Sequence, residues 1–157
     1  MVGALVAANP VGAVTTPGDR HFYAAPFEVD AEFGGMGPDP ATGLGMMMES
    51  RKMASMSPRE NTTIAIVATN ATLTKAQCQR MSVAAHDGIG RATVPAHTPY
   101  DGDLVFGLSI GADEVAEGIL PLIGHAASLC LARAIARAAY HATPAAGDLL
   151  PCWSDLN

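Results

Sequence analysis

The run Thr63-Ile64-Ala65-Ile66-Val67-Ala68-Thr69 constrains this chain more than any other feature. Its β-branched residues suit a pleated, buried surface and resist a helix, so it predicts a buried strand. Asn70-Ala71 then reads as a turn. Thr74 reads as an N-cap with Gln77 at the capping-box position, opening a helix to about Arg91 with Ala76, Met81, Ala84, Ala85 and Ile89 as its apolar positions. Leu104–Ile110 predicts a second buried strand. Asp113 is expected to start a helical region to about His141, with Pro121 kinking or dividing it. Residues 1–9, MVGALVAAN, read as a strand running into the Asn9-Pro10 turn. Residues 10–61 are loop-rich, with a GGMGPDPATGLG stretch and the methionines Met46, Met47, Met48, Met53 and Met56. A segment so long without regular structure is functional, disordered or packed on something else.

From Thr62 onward the order is strand, helix, strand, helix. That order predicts an α/β layer with helices covering a sheet, and the sheet must be wider than these strands, because two alone are only marginally stable. The 157 residues suit one domain. The formal net charge of −6 argues against nonspecific binding to nucleic acid or to an anionic membrane. Apolar stretches are broken by Gly, His, Arg or Pro before the roughly 20 residues of a membrane span. Charged residues are 15% of the chain, against about 25% in a typical soluble domain, which suggests that part of the surface is covered by another chain or segment. Aromatics are only 5%, so Ala, Val, Ile, Leu and Met are expected to build the core. Cys78, Cys130 and Cys152 are too few and too widely spaced for a disulfide framework or a metal knuckle, which points to reduced thiols in the cytoplasm. Met1-Val2-Gly3-Ala4-Leu5 lacks the basic start of a signal peptide and reads like a strand entered partway, so the chain is expected to be the C-terminal part of something longer.

Three groups of residues could carry chemistry. Asn61-Thr62-Thr63 is first a loop-to-strand junction with Thr chosen for β propensity. It also fits a glycosylation acceptor, as does Asn70-Ala71-Thr72, but no secretory signal accompanies either. A third reading is a self-cleavage junction. Once the Asn61–Thr62 bond is cut, Thr62 carries both a hydroxyl and an α-amine, and an amine that titrates near roughly 8 can act as base for its own hydroxyl. Asp101-Gly102-Asp103 is a solvated turn or a carboxylate pair at the mouth of the sheet, one acid holding the ammonium or orienting the hydroxyl and the other supporting it. Asn9 is a turn former before Pro10 or an amide that stabilises an oxyanion. The five histidines form no HxH or HxxxH pair, so a metal site has little support.

Taken together, several segments in order resemble the L-aminopeptidase/D-esterase family, which includes β-peptidyl aminopeptidases and nylon-oligomer hydrolase. They are Glu60–Thr69, Leu73–Gln77, Ala85–Ala92, Pro95–Pro99 and Asp101–Phe106, with Leu5–Asn9 upstream. The Asn-Thr junction is most similar to nylon-oligomer hydrolase, since other members place Gly-Ser there. The resemblance implies an αββα sandwich similar to the N-terminal-nucleophile hydrolases, incomplete in this chain. It implies self-cleavage between Asn61 and Thr62, so that residues 1–61 end a large subunit and residues 62–157 form a small one. It implies Thr62 as nucleophile, Asp103 contacting its new amine, Asp101 supporting Asp103, and Asn9 at the oxyanion. It implies a peptide or small amide substrate, such as a 6-aminohexanoate oligomer, no metal or cofactor, and a homo-oligomer of the cleaved pair. Family precursors are considerably longer and hold a site-completing Lys in the N-terminal part; Lys52 and Lys75 lie in other segments. Two alternatives stay open: an acyltransferase of the ornithine acetyltransferase kind, and a non-catalytic, unprocessed subunit.

Overall fold

The computed structural model describes residues 1–48, 50–54 and 61–157; Met56 and Glu60, singled out above, lie outside them. One sheet holds β1 (Val2–Ala7), β2 (Ile64–Ala71) and β3 (Leu104–Asp113) in that spatial order. β1 runs antiparallel to β2, with Ala7 opposite Ile64; β3 runs parallel to β2, with Leu104 opposite Ile64. A parallel neighbour needs a crossover, and α2 (Lys75–Ala92) supplies it. The other helices are α1 (Arg51–Ala54), a single turn, and α3 (Leu120–Tyr140). The mixed α/β class is as expected, and the sheet has the third strand that stability required.

The capping box of α2 forms as read: Thr74 accepts from the Gln77 amide, and the Gln77 side chain accepts from the Thr74 amide. Met81, Ala85 and Ile89 are buried, while Ala76 faces solvent. Two glycines let backbones close up. A Cβ on Gly107 would stand 2.3 Å from the Cys78 carbonyl oxygen, and one on Gly88 would stand 2.3 Å from that of Ser128. The first sets α2 against β3 and the second sets α2 against α3.

Several expectations need correction. Asn70-Ala71 is the end of β2, because the ladder shifts register after Thr69 and carries on to pair Ala71 with Asp113. Asp113 accordingly ends β3 and starts no helix. Pro121 falls in the first turn of α3, where its missing N–H costs no helical bond, so it neither kinks nor divides the helix. Glu117–Tyr140 is also long and apolar enough to cross a membrane, contrary to the reading of the apolar stretches. Here it is a core helix, with Ile123, Ala127, Leu131 and Ile135 buried among the helix and sheet residues of the core.

The aromatics do more than their number suggests. Phe22 and Phe33 are buried in the core, and Phe22 packs against Tyr140 of α3 and Trp153 of the tail. Glu32 ties the same loop to α3 through Arg133 and, at 3.0 Å, Arg137. The hydrogen bond from Arg133 is the main reason its carboxyl titrates below the usual range. In this way residues 10–35 gain order without long regular elements. Met46, Met47, Met48 and Met53 stay exposed.

Both strands expected to be buried are buried on one face only. Ala65, Val67, Thr69, Ala71 and Val105 face the helices. The alternate residues Ile64, Ile66, Leu104, Phe106, Leu108 and Ile110 are 40–66% exposed, because no element among the described residues lies over that face.

Candidate functional site

Strand register builds the site. Past Ala7–Ile64 the antiparallel ladder continues, and the Thr62 amide donates to the Asn9 carbonyl at 3.1 Å. Past Ile64–Leu104 the parallel ladder continues too. Leu104 donates to the Thr63 carbonyl, Gly102 donates to the Asn61 carbonyl at 2.8 Å, and Asn61 bridges Asp101. Asn9, Asn61, Thr62, Asp101 and Asp103, distant in the chain, therefore meet at one end of the sheet.

Side-chain alternation separates the two threonines. Thr63 shares the helix side with Ala65 and Val67; it is 1% exposed, and its hydroxyl is buried without a hydrogen-bond partner among the described residues. Thr62 is only half-buried and falls on the open face with Ile64 and Ile66. Gly102, its neighbour across the ladder, leaves it room: a Cβ there would stand 2.9 Å from the Thr62 Oγ1.

The two carboxylates do different jobs. Asp101 accepts from the Val11 amide at 2.9 Å, the Thr98 amide at 2.9 Å and the Thr98 hydroxyl at 2.7 Å, so it ties the loop after β1 to the loop before β3. Replacing it with Ala leaves the amide of buried Val11 unpaired. We expect Asp101→Ala to cost about 2–4 kcal/mol in urea unfolding, since each orphaned buried donor costs roughly 1–3 kcal/mol. Asp103 has a nearly buried side chain, 5% exposed. Its Oδ1 accepts from the Thr63 amide at 3.1 Å and its Oδ2 meets His97 Nδ1 at 2.9 Å. In the uncut chain it thus holds the residue after Thr62, while the Thr62 amide is held by Asn9.

Three contributors escaped the sequence reading. The Lys52 Nζ donates to the side-chain oxygen of Asn9, to the Pro10 carbonyl at 3.0 Å and to Asn61 Oδ1 at 3.5 Å, although its segment had been set aside. An ammonium can only donate, so it fixes the amide oxygen of Asn9 and turns the NH2 end elsewhere. His97 is the second, its ring tilted against that of His86 with centroids 5.3 Å apart. Burial first, and then the neighbouring His97 ring, lower the His86 pKa. The Gly102 amide, aimed at the Asn61 carbonyl, is the third. Spacing carried no signal for any of them, since each arrives through a long-range contact. An open pocket of about 350 Å³ borders Asn9 and Lys52 and is also lined by Ala139, Pro151 and Trp153. Among the described residues, no group of three or more His, Cys, Asp or Glu is placed to hold a metal ion.

A sequence model of peptidase family S58 matches residues 1–149. The chain belongs to peptidase family S58. It is 34% identical over 167 residues to an uncharacterized aminopeptidase of Mycobacterium tuberculosis, an alignment covering 99% of this chain and 47% of that protein. It is 39% identical over 160 residues to an uncharacterized aminopeptidase of Mycobacterium leprae (strain TN), covering 93% of this chain and 42% of that one. This S58 chain therefore spans about half the length of the curated relatives it matches. The family agrees with the resemblance read from the ordered segments.

Proposed function

We propose that this S58 chain is part of a self-processing peptide hydrolase in which Thr62 becomes the N-terminal nucleophile. The carrying observation is the register: Thr62 sits at the sheet end, its side chain on the open face, with the Asn61 carbonyl oxygen already bonded by the Gly102 amide. In the first step the Thr62 hydroxyl oxygen attacks the Asn61 carbonyl carbon. Negative charge builds on the Asn61 oxygen, which the Gly102 N–H stabilises, with the Asn9 NH2 as a second donor. The C–N bond breaks, the proton released by the hydroxyl passes to the nitrogen of Thr62, and an ester joins Asn61 to Thr62. Water hydrolyses the ester and frees the amine. That amine then takes the proton of its own hydroxyl as the hydroxyl attacks a substrate amide; an acyl-enzyme forms, and water releases the acid. Asp103, whose Oδ1 accepts from the Thr63 amide, is the carboxylate assigned to the new amine, with Asp101 in support.

The aminopeptidase names of the similar mycobacterial proteins support peptides with a free amino end as substrates. The Asn-Thr junction supports 6-aminohexanoate oligomers as a further class. An exposed apolar sheet face this large marks a surface that another layer covers, which supports an αββα sandwich completed by additional sequence. A cytoplasmic homo-oligomer of the cleaved pair, residues 1–61 with 62–157, completes the reading.

N-terminal sequencing and intact mass of the protein as expressed from its gene test this. Two chains are expected, one beginning at Thr62, with masses that sum to the uncut chain plus one water. A single species with no Thr62 terminus would sink the reading.

A further inference from the structure

We propose that His97 is a positioning residue that holds the Asp103 carboxylate against the Thr63 amide, and through it the backbone next to the nucleophile. The nucleophilic role of Thr62 is taken from the function proposed above; the hold on Asp103 stands on geometry alone.

Three observations converge. First, Asp103 has its oxygens split between two partners: Oδ1 on the Thr63 amide at 3.1 Å and Oδ2 on His97 Nδ1 at 2.9 Å. A carboxylate has one rotor beyond Cβ, so fixing one oxygen from His97 fixes the direction of the other. Second, the far side of the His97 ring is anchored as well, with Nε2 3.3 Å from the His86 carbonyl of α2. Both ring nitrogens meet an oxygen, one of the carboxylate and one of the α2 backbone. The ring thus bridges a helix and the loop that carries the carboxylate. Third, the backbone of His97 is left-handed, with φ 53°. A non-glycine residue seldom adopts that region, and strain of this kind persists where the surroundings over-determine it. Loop residue 97 is bent so that its ring reaches Asp103.

The charged and titratable groups around the ring are Asp103 on the loop before β3 and His86 with Asp87 on α2. Of these, only the Asp103 carboxylate contacts a ring nitrogen of His97; the His86 contact is through its carbonyl. Without the ring, the Asp103 side chain is free to rotate off Thr63, and the strand end beside Thr62 loses its side-chain tie.

The test uses His97→Gly, His97→Asn and wild type. Gly accepts the left-handed backbone without strain and removes only the ring. Asn also tolerates that backbone, and its NH2 stands near the position of Nδ1. Amide hydrogen exchange is read at Thr63 and, as a reference for overall stability, at Val67 in mid-β2. In His97→Gly we expect Thr63 to exchange about tenfold faster, the worth of one typical hydrogen bond, with Val67 unchanged; His97→Asn restores protection. Appearance of the Thr62 terminus is followed in the same samples, slowed in the Gly variant and restored in the Asn variant. Unchanged exchange at Thr63 in His97→Gly overturns the proposal, as does equal acceleration at Thr63 and Val67, which marks general loosening. If exchange shifts as expected while even wild type is never cut, His97 holds Asp103 and it is the nucleophile reading that fails.

Discussion

A Thr62→Ala protein is expected to remain one uncut chain and to hydrolyse no amide, whereas its neighbour Thr63→Val is cut at the wild-type rate. The contrast follows from strand alternation. Thr62 presents its hydroxyl on the open face, within reach of the Asn61 carbonyl. Thr63 turns its hydroxyl into the helix side, where it is buried with no partner among the described residues. Removing an unpartnered buried hydroxyl while keeping the shape relieves a desolvation cost, so Thr63→Val should also gain about 1 kcal/mol in urea unfolding. Loss of cutting in Thr63→Val together with its retention in Thr62→Ala would move the nucleophile by one residue and to the opposite face. Intact mass separates these outcomes directly.

Gly102→Ala should slow chain cutting about a hundredfold while changing stability by less than about 1 kcal/mol. The new methyl meets the Thr62 Oγ1 at 2.9 Å, closer than real side chains tolerate. No backbone blocks it at that range, and the next contact is the Asn61 carbonyl oxygen at 3.7 Å. The threonine can relieve the clash by rotating about χ1, which costs the fold little but swings the hydroxyl off its line of attack. Misplacing a reacting group by about 1 Å can cost some 10²-fold in rate. Gly102 also keeps its N–H on Asn61 in the variant, so the carbonyl is still polarised. The time course of the Thr62 terminus, set beside a urea melt, checks both halves. A rate near wild type means the hydroxyl does not act from this rotamer.

The element types were legible because each carries a local cause. The β-branched run made β2, and Thr74 with Gln77 made the start of α2. The limits of β2 and β3 were not legible. Asn70-Ala71 has turn chemistry, and only pairing of Ala71 with Asp113 across the sheet overrides it. Which face is covered was also hidden: Ile64 and Ile66 are as apolar as Ala65 and Val67, so a period of two shows nothing until the helices are placed. At the site, Asn9, Thr62 and the two aspartates were visible as residues set at strand ends. Lys52 and His97 were not, since a cation in a loop and a histidine between prolines announce no partner, and each is defined by what the fold brings to it.

β1 comes from the stretch before Thr62, yet it is hydrogen-bonded to β2 along six residue pairs. A backbone break at 61–62 would turn one polypeptide's sheet into a complex of two pieces with no tether between them. Unfolding would then become bimolecular in reverse: the melting midpoint would rise with protein concentration, and separated pieces would have to meet by diffusion to rebuild the sheet. The proposed cut would therefore make the molecule's stability depend on dilution as well as on heat.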